Sequence, residues 1–248
     1  MSETFVAECI TALKNVSPYP YAKSYGVTDL PGAYACQAAF VESRLSDEDQ
    51  NGIAGYKAAL TAPPAQTAMG IHEPIVGVLL NSGAKAPGEV LTPPTGTLLE
   101  TELGFTLKTA VTAPLDAAEV MDLVDYVQPC IEIANPNMKS PSAIDLVATN
   151  SASYQFMPGN KLSGDSNLDE LSAALHLEED AVFAGRCGDV MSGQAAALAW
   201  LINQVLALGY SLAPGHFLMT GSVGGVAPAA KGHYRGSFGP EVIEFQIS

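Results

Sequence analysis

Positively charged residues are scarce in this chain of 248 residues. It contains 11 Lys or Arg against 26 Asp or Glu, and its formal net charge at pH 7 is −15. A surface this acidic repels the phosphates of nucleic acids and the head groups of anionic lipids. We therefore expect no nucleic-acid partner and no binding to anionic membranes.

The sequence also lacks the patterns of a zinc site, a disulfide framework, a secretory leader or a membrane span. Its four cysteines, Cys9, Cys36, Cys130 and Cys187, show no C-x-x-C spacing. The first residues contain no basic stretch followed by a long apolar run, and the longest apolar run, 195–202, is too short to cross a bilayer. We expect a cytoplasmic protein with free, buried thiols.

Charged residues of both signs make up only 15% of the chain, while hydrophobic residues make up 48%. This composition is typical of a packed globular protein and not of a disordered one. A surface with so little charge also favours burial of part of the exterior between subunits, so we expect a homo-oligomer. No internal repeat or linker divides the chain. We predict one domain over 1–248, helical in about 1–50 and β-rich in about 51–248.

Hydrophobic periodicity predicts a mixed α+β fold, with helices grouped near the start and the end. The predicted helices are 3–15, 33–45, 116–124 and 192–208, with Asp116 and Glu119 as a capping box. The predicted strands are 53–60, 74–80, 98–107, 131–133, 144–148, 217–220 and 241–247. Residues 46–52 are predicted to form a polar turn, 63–70 an irregular segment and 160–169 a surface loop.

The segment Glu100-Thr101-Glu102 carries the clearest chemical signal. Side chains two apart on a strand share a face, so the carboxylates of Glu100 and Glu102 point the same way. Glu132, on a second short strand, can supply a third carboxylate. Three carboxylate oxygen donors form a hard site, suited to Mg²⁺ or Mn²⁺. The alternative is that these glutamates occupy the solvent face of an amphipathic strand.

Seven short motifs in a fixed order resemble a known family. They are Ala33-Tyr34 with Gln37; Gly55-Tyr56-Lys57 with Leu60-Thr61 and Gln66; Gly77-Val78-Leu79; the acids Glu100, Glu102 and Glu132; Asn150-Ser151-Ala152-Ser153; Ala199-Trp200-Leu201-Ile202-Asn203; and Leu212-Ala213-Pro214-Gly215 with Thr220-Gly221-Ser222. Together they resemble the hydratase/decarboxylase branch of the fumarylacetoacetate hydrolase superfamily, which includes 2-keto-4-pentenoate hydratases and 4-oxalocrotonate decarboxylases. The resemblance covers some two hundred residues.

The resemblance implies a mixed, rolled β-sandwich or barrel with peripheral helices, assembled into homo-oligomers. It also implies a metal-dependent lyase acting on an unsaturated 2-keto acid, with Glu100, Glu102 and Glu132 as metal ligands in the β-rich part. Lys57 is then the candidate catalytic residue, as proton carrier or carboxylate anchor. The candidate substrate-binding residues are Gln66, Leu79 and Ser153. Without the resemblance, a surface position for Lys57 is an equal alternative. Gln66 and Ser153 are then equally explained as polar groups that hydrogen-bond to the backbone of loops.

The chain departs from the family pattern at several acids. Where the hydratases commonly carry Asp, this chain has Ile75-Val76, Asn135 and Thr149. These changes shift the expected reaction from hydration towards decarboxylation or tautomerisation. Two alternatives remain open: a C–C bond hydrolase of the same superfamily, or a family member without activity that is kept for binding or assembly.

Overall fold

The computed structural model describes residues 2–46, 52–164 and 166–248. Its helices are α1 (Ser2–Lys14), α2 (Leu30–Leu45), α3 (Pro63–Met69), α4 (Ala143–Ala148) and α5 (Gln194–Ala207). Its strands are β1 (Ile53–Ala59), β2 (Ile75–Leu80), β3 (Val90–Leu91), β4 (Leu98–Leu107), β5 (Val124–Ala134), β6 (Gln155–Pro158), β7 (Ser172–Leu177), β8 (Asp180–Arg186), β9 (Phe217–Met219), β10 (Val223–Pro228), β11 (Gly232–Phe238) and β12 (Glu241–Ile247).

Two sheets form the centre of the molecule. One has the strand order β2-β1-β9-β4-β5-β6, with β10 paired to β4, and the other has the order β3-β12-β11-β7-β8. The larger sheet is mixed, because β1 and β9 run parallel while β4 is antiparallel to β5, β9 and β10. It curls into a half barrel, and the predicted α+β class is confirmed.

The long strand β4 lies at the centre of the larger sheet and is buried on both faces over most of its length. Its odd-numbered apolar residues, among them Leu99 and Leu103, pack in the main hydrophobic core with helix α5. The even-numbered positions of β4 face the inside of the curl. Burial on both faces explains why the strand combines an apolar repeat with a polar one.

A second hydrophobic cluster holds the N-terminal helices against the sheet. It contains buried side chains of α1 and α2, such as Phe5 and Phe40, together with Leu146 and Val147 of α4. The helical N-terminal part was predicted from periodicity, and α4 joins it from much later in the chain. None of the helices in the described ranges is long and apolar enough to cross a membrane.

Three predicted elements are wrong. Residues 144–148 form helix α4 instead of a strand, because Ser142 and Asp145 form a capping box that starts a helix buried on nearly all sides. The segment predicted to be irregular contains α3, which starts at two prolines that suit a first turn. The predicted helix 116–124 is only a 3-10 turn at Val120–Leu123, although the Asp116 N–H does donate to Glu119.

The sequence did not predict strands β3, β6, β7, β8, β10 and β11, which are short or have exposed positions. The loop predicted at 160–169 has no regular structure in its described residues before a 3-10 turn at Leu168–Glu170. Of the polar turn predicted at 46–52, residues 47–51 lie outside the described ranges.

Gly104 in the middle of β4 leaves room for the ring of Phe217 on the neighbouring strand β9. A Cβ at this position would lie 1.8 Å from Cζ of Phe217, whose ring stacks on Phe156. We expect Gly104→Ala to lower the free energy of unfolding by about 1–3 kcal/mol, the usual effect of overpacking a core. Urea unfolding measures this, with Gly164→Ala as the matched control because no atom lies within 4 Å of its added Cβ. Equal stability of the two variants would contradict the prediction.

Candidate metal centre

The pairing of β4 with β5 brings the three predicted acids together. Glu100 lies directly opposite Glu132, and Glu102 lies opposite Cys130, two residues earlier on β5. Because the side-chain period of a strand is two, all three carboxylates project from the same face. One oxygen of each lies within 4.8 Å of the others. The sequence therefore predicted correctly which acids converge.

The cluster is buried. Glu102 is 0% exposed and Glu132 is 1% exposed, while Glu100 is half-buried and borders a cavity. The alternative reading, in which these glutamates form the solvent face of a strand, is wrong because this face is the inside of the curled sheet. Carboxylates in such a place require compensating charge.

Burial and mutual repulsion raise the pKa of two of these carboxyl groups. The pKa of Glu100 rises to about 7 through burial and the charge of Glu132, against an opposing effect of Lys57 and of a contact with the Ser222 hydroxyl. The pKa of Glu102 rises well above its usual range through burial and the charges of Glu132 and Glu100. The metal-free cluster thus retains protons that a cation would displace.

Lys57 provides one compensating charge. Its side chain is 2% exposed, and its Nζ lies 2.5 Å from Oε1 of Glu132. Burial alone would lower the pKa of Lys57, but the nearby charges of Glu132 and Glu100 outweigh burial and raise it. The predicted alternative, a surface base, is wrong. The stem lies over Gly77, where an added Cβ would be 3.0 Å from Cε of the lysine, so glycine provides its space.

The charge and the donor set of the cluster suit a divalent cation. Three carboxylates and one ammonium carry two net negative charges when fully ionised. One oxygen of Glu102 accepts the N–H of Gly221 at 2.9 Å, whereas its Oε1 is buried without a hydrogen-bond partner in the described part of the chain. An orphaned, buried carboxylate oxygen next to two others fits a hard ion bound by oxygen. Glu100, Glu102 and Glu132 are the residues that would hold it.

A cavity of about 660 Å³ opens beside the cluster. Lys57, Glu100 and Ser222 contribute polar groups at its inner end, and Arg186 and Asp189 contribute charges elsewhere on its wall. Most of the remaining wall is apolar. It includes Leu60, Ala62, Ala65, Met69, Ile75, Leu98, Ala134, Pro136, Pro141, Leu146, Ala152, Val190, Val223 and Val226. A volume of this size accommodates a small organic ligand.

The structure does not bring the three predicted substrate-binding residues to this cavity. Gln66 donates its amide to the Leu60 carbonyl at 2.9 Å, as in the loop-backbone alternative. Ser153 donates to the Val78 carbonyl at 2.9 Å and lines a different, smaller cavity. Leu79 shares the inner face of the sheet but lies in an apolar cluster with Phe156 and Phe217. None of the three is among the residues that line the cavity, and their contact with a substrate stays a prediction.

Sequence reasoning missed the turn after β9. Gly221 donates to Glu102, and Ser222 lines the cavity next to Glu100. The backbone φ of Gly221 is +117°, and an added Cβ would lie 2.7 Å from Oγ1 of Thr61. The run of small residues at 221–225 was visible, but its position beside the acids depends on long-range strand pairing.

Comparisons with known proteins agree with the fold and the site. No family model matches the chain. It is 28% identical over 198 residues to 2-hydroxyhexa-2,4-dienoate hydratase of Comamonas testosteroni, with 76% of this chain and 75% of the relative covered. It is 26% identical over 213 residues to 4-oxalocrotonate decarboxylase of Pseudomonas sp. (strain CF600), with 82% and 80% covered. The predicted resemblance to this hydratase/decarboxylase branch is confirmed.

A solved structure resembles the whole chain. The 4-oxalocrotonate decarboxylase from Pseudomonas putida G7, complexed with magnesium and adipate, superimposes with a TM-score of 0.91 at 22% identity. The match covers 100% of this chain and 97% of that one. At 22% sequence identity, this likeness shows that the two chains share a fold.

Metal binding at the cluster should depend on pH. A folded-state pKa of about 7 for Glu100, above its ordinary value, means that the metal-free fold loses stability as pH rises from about 4.5 to 7. A bound divalent ion restores that stability but competes with the proton. We expect the Kd for Mn²⁺ to rise about 20-fold or more between pH 7.5 and 5.5. Calorimetric titration measures it.

The control for this titration is Glu102→Gln, which keeps the shape of the side chain and removes its charge. It should abolish measurable Mn²⁺ binding at both pH values. A wild-type Kd that does not change with pH would contradict the prediction.

Proposed function

We propose that this protein is a divalent-metal-dependent lyase that acts on an unsaturated 2-keto acid. The observation that carries the proposal is the buried cluster of three carboxylates and one lysine at the inner end of an apolar cavity. The names of the relatives, hydratases and decarboxylases of unsaturated acids, support the same class of reaction. The proposal names Mg²⁺ or Mn²⁺, and magnesium is present in the similar decarboxylase structure.

A bound divalent ion would supply a Lewis acid, which favours negative charge on the keto oxygen of the substrate. Glu100, Glu102 and Glu132 would hold that ion. The three carboxylates offer no positive charge of their own, so any negative charge of the substrate must be met by the ion and by cationic side chains.

Lys57 is the cationic side chain at the inner end of the cavity. Because its pKa is raised, it is an ammonium at neutral pH, which suits an acid or an anchor and not a base. We propose that it anchors the substrate carboxylate or delivers a proton to the substrate. Its ion pair with Glu132 fixes the ammonium at one place, so little motion is needed.

The cavity wall favours decarboxylation or tautomerisation over hydration. Ile75 lines the cavity at a position where the related hydratases commonly carry an acid next to the Gly-Val-Leu strand. Asn135 and Thr149, the other two positions where the related hydratases commonly carry an acid, do not supply a carboxylate either. Asn135 uses its amide on Thr97 at 2.7 Å, and the Thr149 hydroxyl donates to the Asp145 carbonyl at 2.8 Å. A carboxylate that could activate water is therefore absent from these three positions.

A substrate panel tests the reaction type. Purified protein with Mg²⁺ or Mn²⁺ is incubated with unsaturated 2-keto acids, both monocarboxylates and dicarboxylates, while ultraviolet absorbance and CO₂ release are recorded. We expect loss of the conjugated chromophore together with CO₂ release, or a shift of the chromophore for tautomerisation. Loss of absorbance without CO₂ would instead identify a hydratase or a C–C hydrolase, which the products distinguish. No turnover of any member, with metal bound, would support the binding or assembly alternative.

Replacement of Lys57 by methionine tests its role. Lys57→Met keeps the length of the stem and removes the charge, so we expect a rate loss of about a hundredfold or more. Because the lysine ammonium competes with a metal ion for Glu132, its removal should also raise the affinity for the metal. The matched control is Lys85→Met, which removes a partly exposed lysine whose Nζ lies 4.0 Å from Glu89. Near-normal turnover of Lys57→Met would exclude a catalytic role.

We also propose that the protein is a homo-oligomer, on the basis of its low charge content. Light scattering should return a mass that is a multiple of the 25.7 kDa of one chain. A monomer mass across ordinary concentrations would exclude this.

A further inference from the structure

Gln194 is a buried polar residue at the first turn of the apolar helix α5. It is 1% exposed, and both ends of its amide are hydrogen-bonded. The Nε2 group donates to the Cys187 carbonyl at 2.6 Å, and Oε1 accepts from the Thr220 hydroxyl at 2.7 Å. A hydrophobic side chain would fill this place at a lower cost of desolvation, so the amide needs an explanation beyond packing.

Thr220 connects Gln194 to the turn after β9. It is 0% exposed, and its backbone N–H donates to the Leu103 carbonyl at 3.2 Å. Its hydroxyl has one hydrogen and lies near two acceptors, 2.7 Å from Oε1 of Gln194 and 3.2 Å from the Leu103 carbonyl. The shorter contact assigns that hydrogen to Gln194. The glutamine thus fixes the position of Thr220 from the side of the helix.

The next peptide unit reaches the carboxylate cluster. The N–H of Gly221 donates to Oε2 of Glu102 at 2.9 Å. Within the described ranges, the Glu102 carboxylate accepts no other hydrogen bond. Because Glu102 is wholly buried, the direction of its free oxygen depends on where this N–H is held. Two hydrogen bonds therefore link Cys187 through Gln194 to Thr220, and a third joins the next residue, Gly221, to Glu102.

We propose that Gln194 is a positioning residue for the carboxylate cluster, acting through Thr220 and the Gly221 N–H on Glu102. This inference rests on the proposed function, since it takes Glu102 to be a metal ligand. Groups that orient a ligand typically change metal affinity 10- to 100-fold when they are removed. The amide also links the Cys187–Asp189 segment, which contributes Asp189 to the cavity wall, to the turn after β9.

The test is a calorimetric titration of Mn²⁺, without substrate, into the wild-type protein and a set of variants. Gln194→Met and Thr220→Val should each raise the Kd about tenfold or more. Thr220→Ser keeps the hydroxyl and should stay within about twofold of wild type. The double variant Gln194→Met/Thr220→Val should bind no more weakly than the weaker single variant, because both changes break one chain of hydrogen bonds.

The matched control is Gln37→Met. Gln37 is also a fully buried glutamine, and its amide donates to the Val76 carbonyl at 2.8 Å. The Gln37→Met variant should lower the melting temperature about as much as Gln194→Met does. Its Kd for Mn²⁺ should stay within about twofold of the wild-type value. Equal weakening by the two glutamine variants would reduce the effect to general loosening and overturn the proposal. If Gln194→Met does not fold, the comparison of Thr220→Val with Thr220→Ser decides.

Unchanged affinity in Gln194→Met and Thr220→Val, in a wild-type protein that binds Mn²⁺, overturns this inference alone. A wild-type protein that binds no Mn²⁺ overturns the inference together with the proposed function.

Discussion

Uncompensated negative charge inside the curled sheet is the constraint on which the rest of the site depends. Removal of a carboxylate from water costs several kcal/mol unless charge or hydrogen bonds replace the solvent. Here three carboxylates share one buried face, and Lys57 neutralises only part of their charge. The raised pKa of Glu100 and Glu102 is the signature of this deficit. A divalent cation held by the three carboxylates would remove the deficit.

The curl of the sheet makes that compensation possible. Lys57 on β1 and Glu132 on β5 are separated by β9 and β4, a distance of roughly 14 Å across three strand spacings in a flat sheet. Their side chains nevertheless meet at 2.5 Å because the sheet bends towards its inner face. Gly104 and Gly77 leave room for the side chains of Phe217 and Lys57, respectively. Leu79, Phe156 and Phe217 belong to a buried apolar cluster that includes Cys130, the residue opposite Glu102.

The cavity combines a few charged groups with a mostly apolar wall. Lys57 and Glu100 line it together with apolar residues such as Leu60, Met69 and Ile75. Under the proposed function, the polar groups of a 2-keto acid would lie against the first two residues and its unsaturated chain against the apolar ones. Ile75 would then offer no carboxylate to a hydration step.

Residue spacing and motif order predicted the cluster of acids, the candidate lysine and the class of the fold. The two-residue spacing of Glu100 and Glu102 ensures a shared face on any strand, and seven ordered motifs carry the resemblance that placed Glu132 beside them. Local patterns failed where burial hides periodicity, as in the six-residue helix Ala143–Ala148. They also failed where strands such as Val223–Pro228 acquire their place only by pairing with a distant partner.

Long-range packing selects the polar groups that lie beside the carboxylates. Gln66 and Ser153 have suitable chemistry, but nearby carbonyl groups take their hydrogen bonds, and a sequence pattern does not show which acceptor is closer. Gly221 contacts Glu102 across 119 positions of sequence, through strand pairing, and Gln194 contacts the preceding residue, Thr220, through helix packing. Spacing along the chain fixes the direction of neighbouring side chains, whereas the curl of the sheet fixes which distant groups share a buried space.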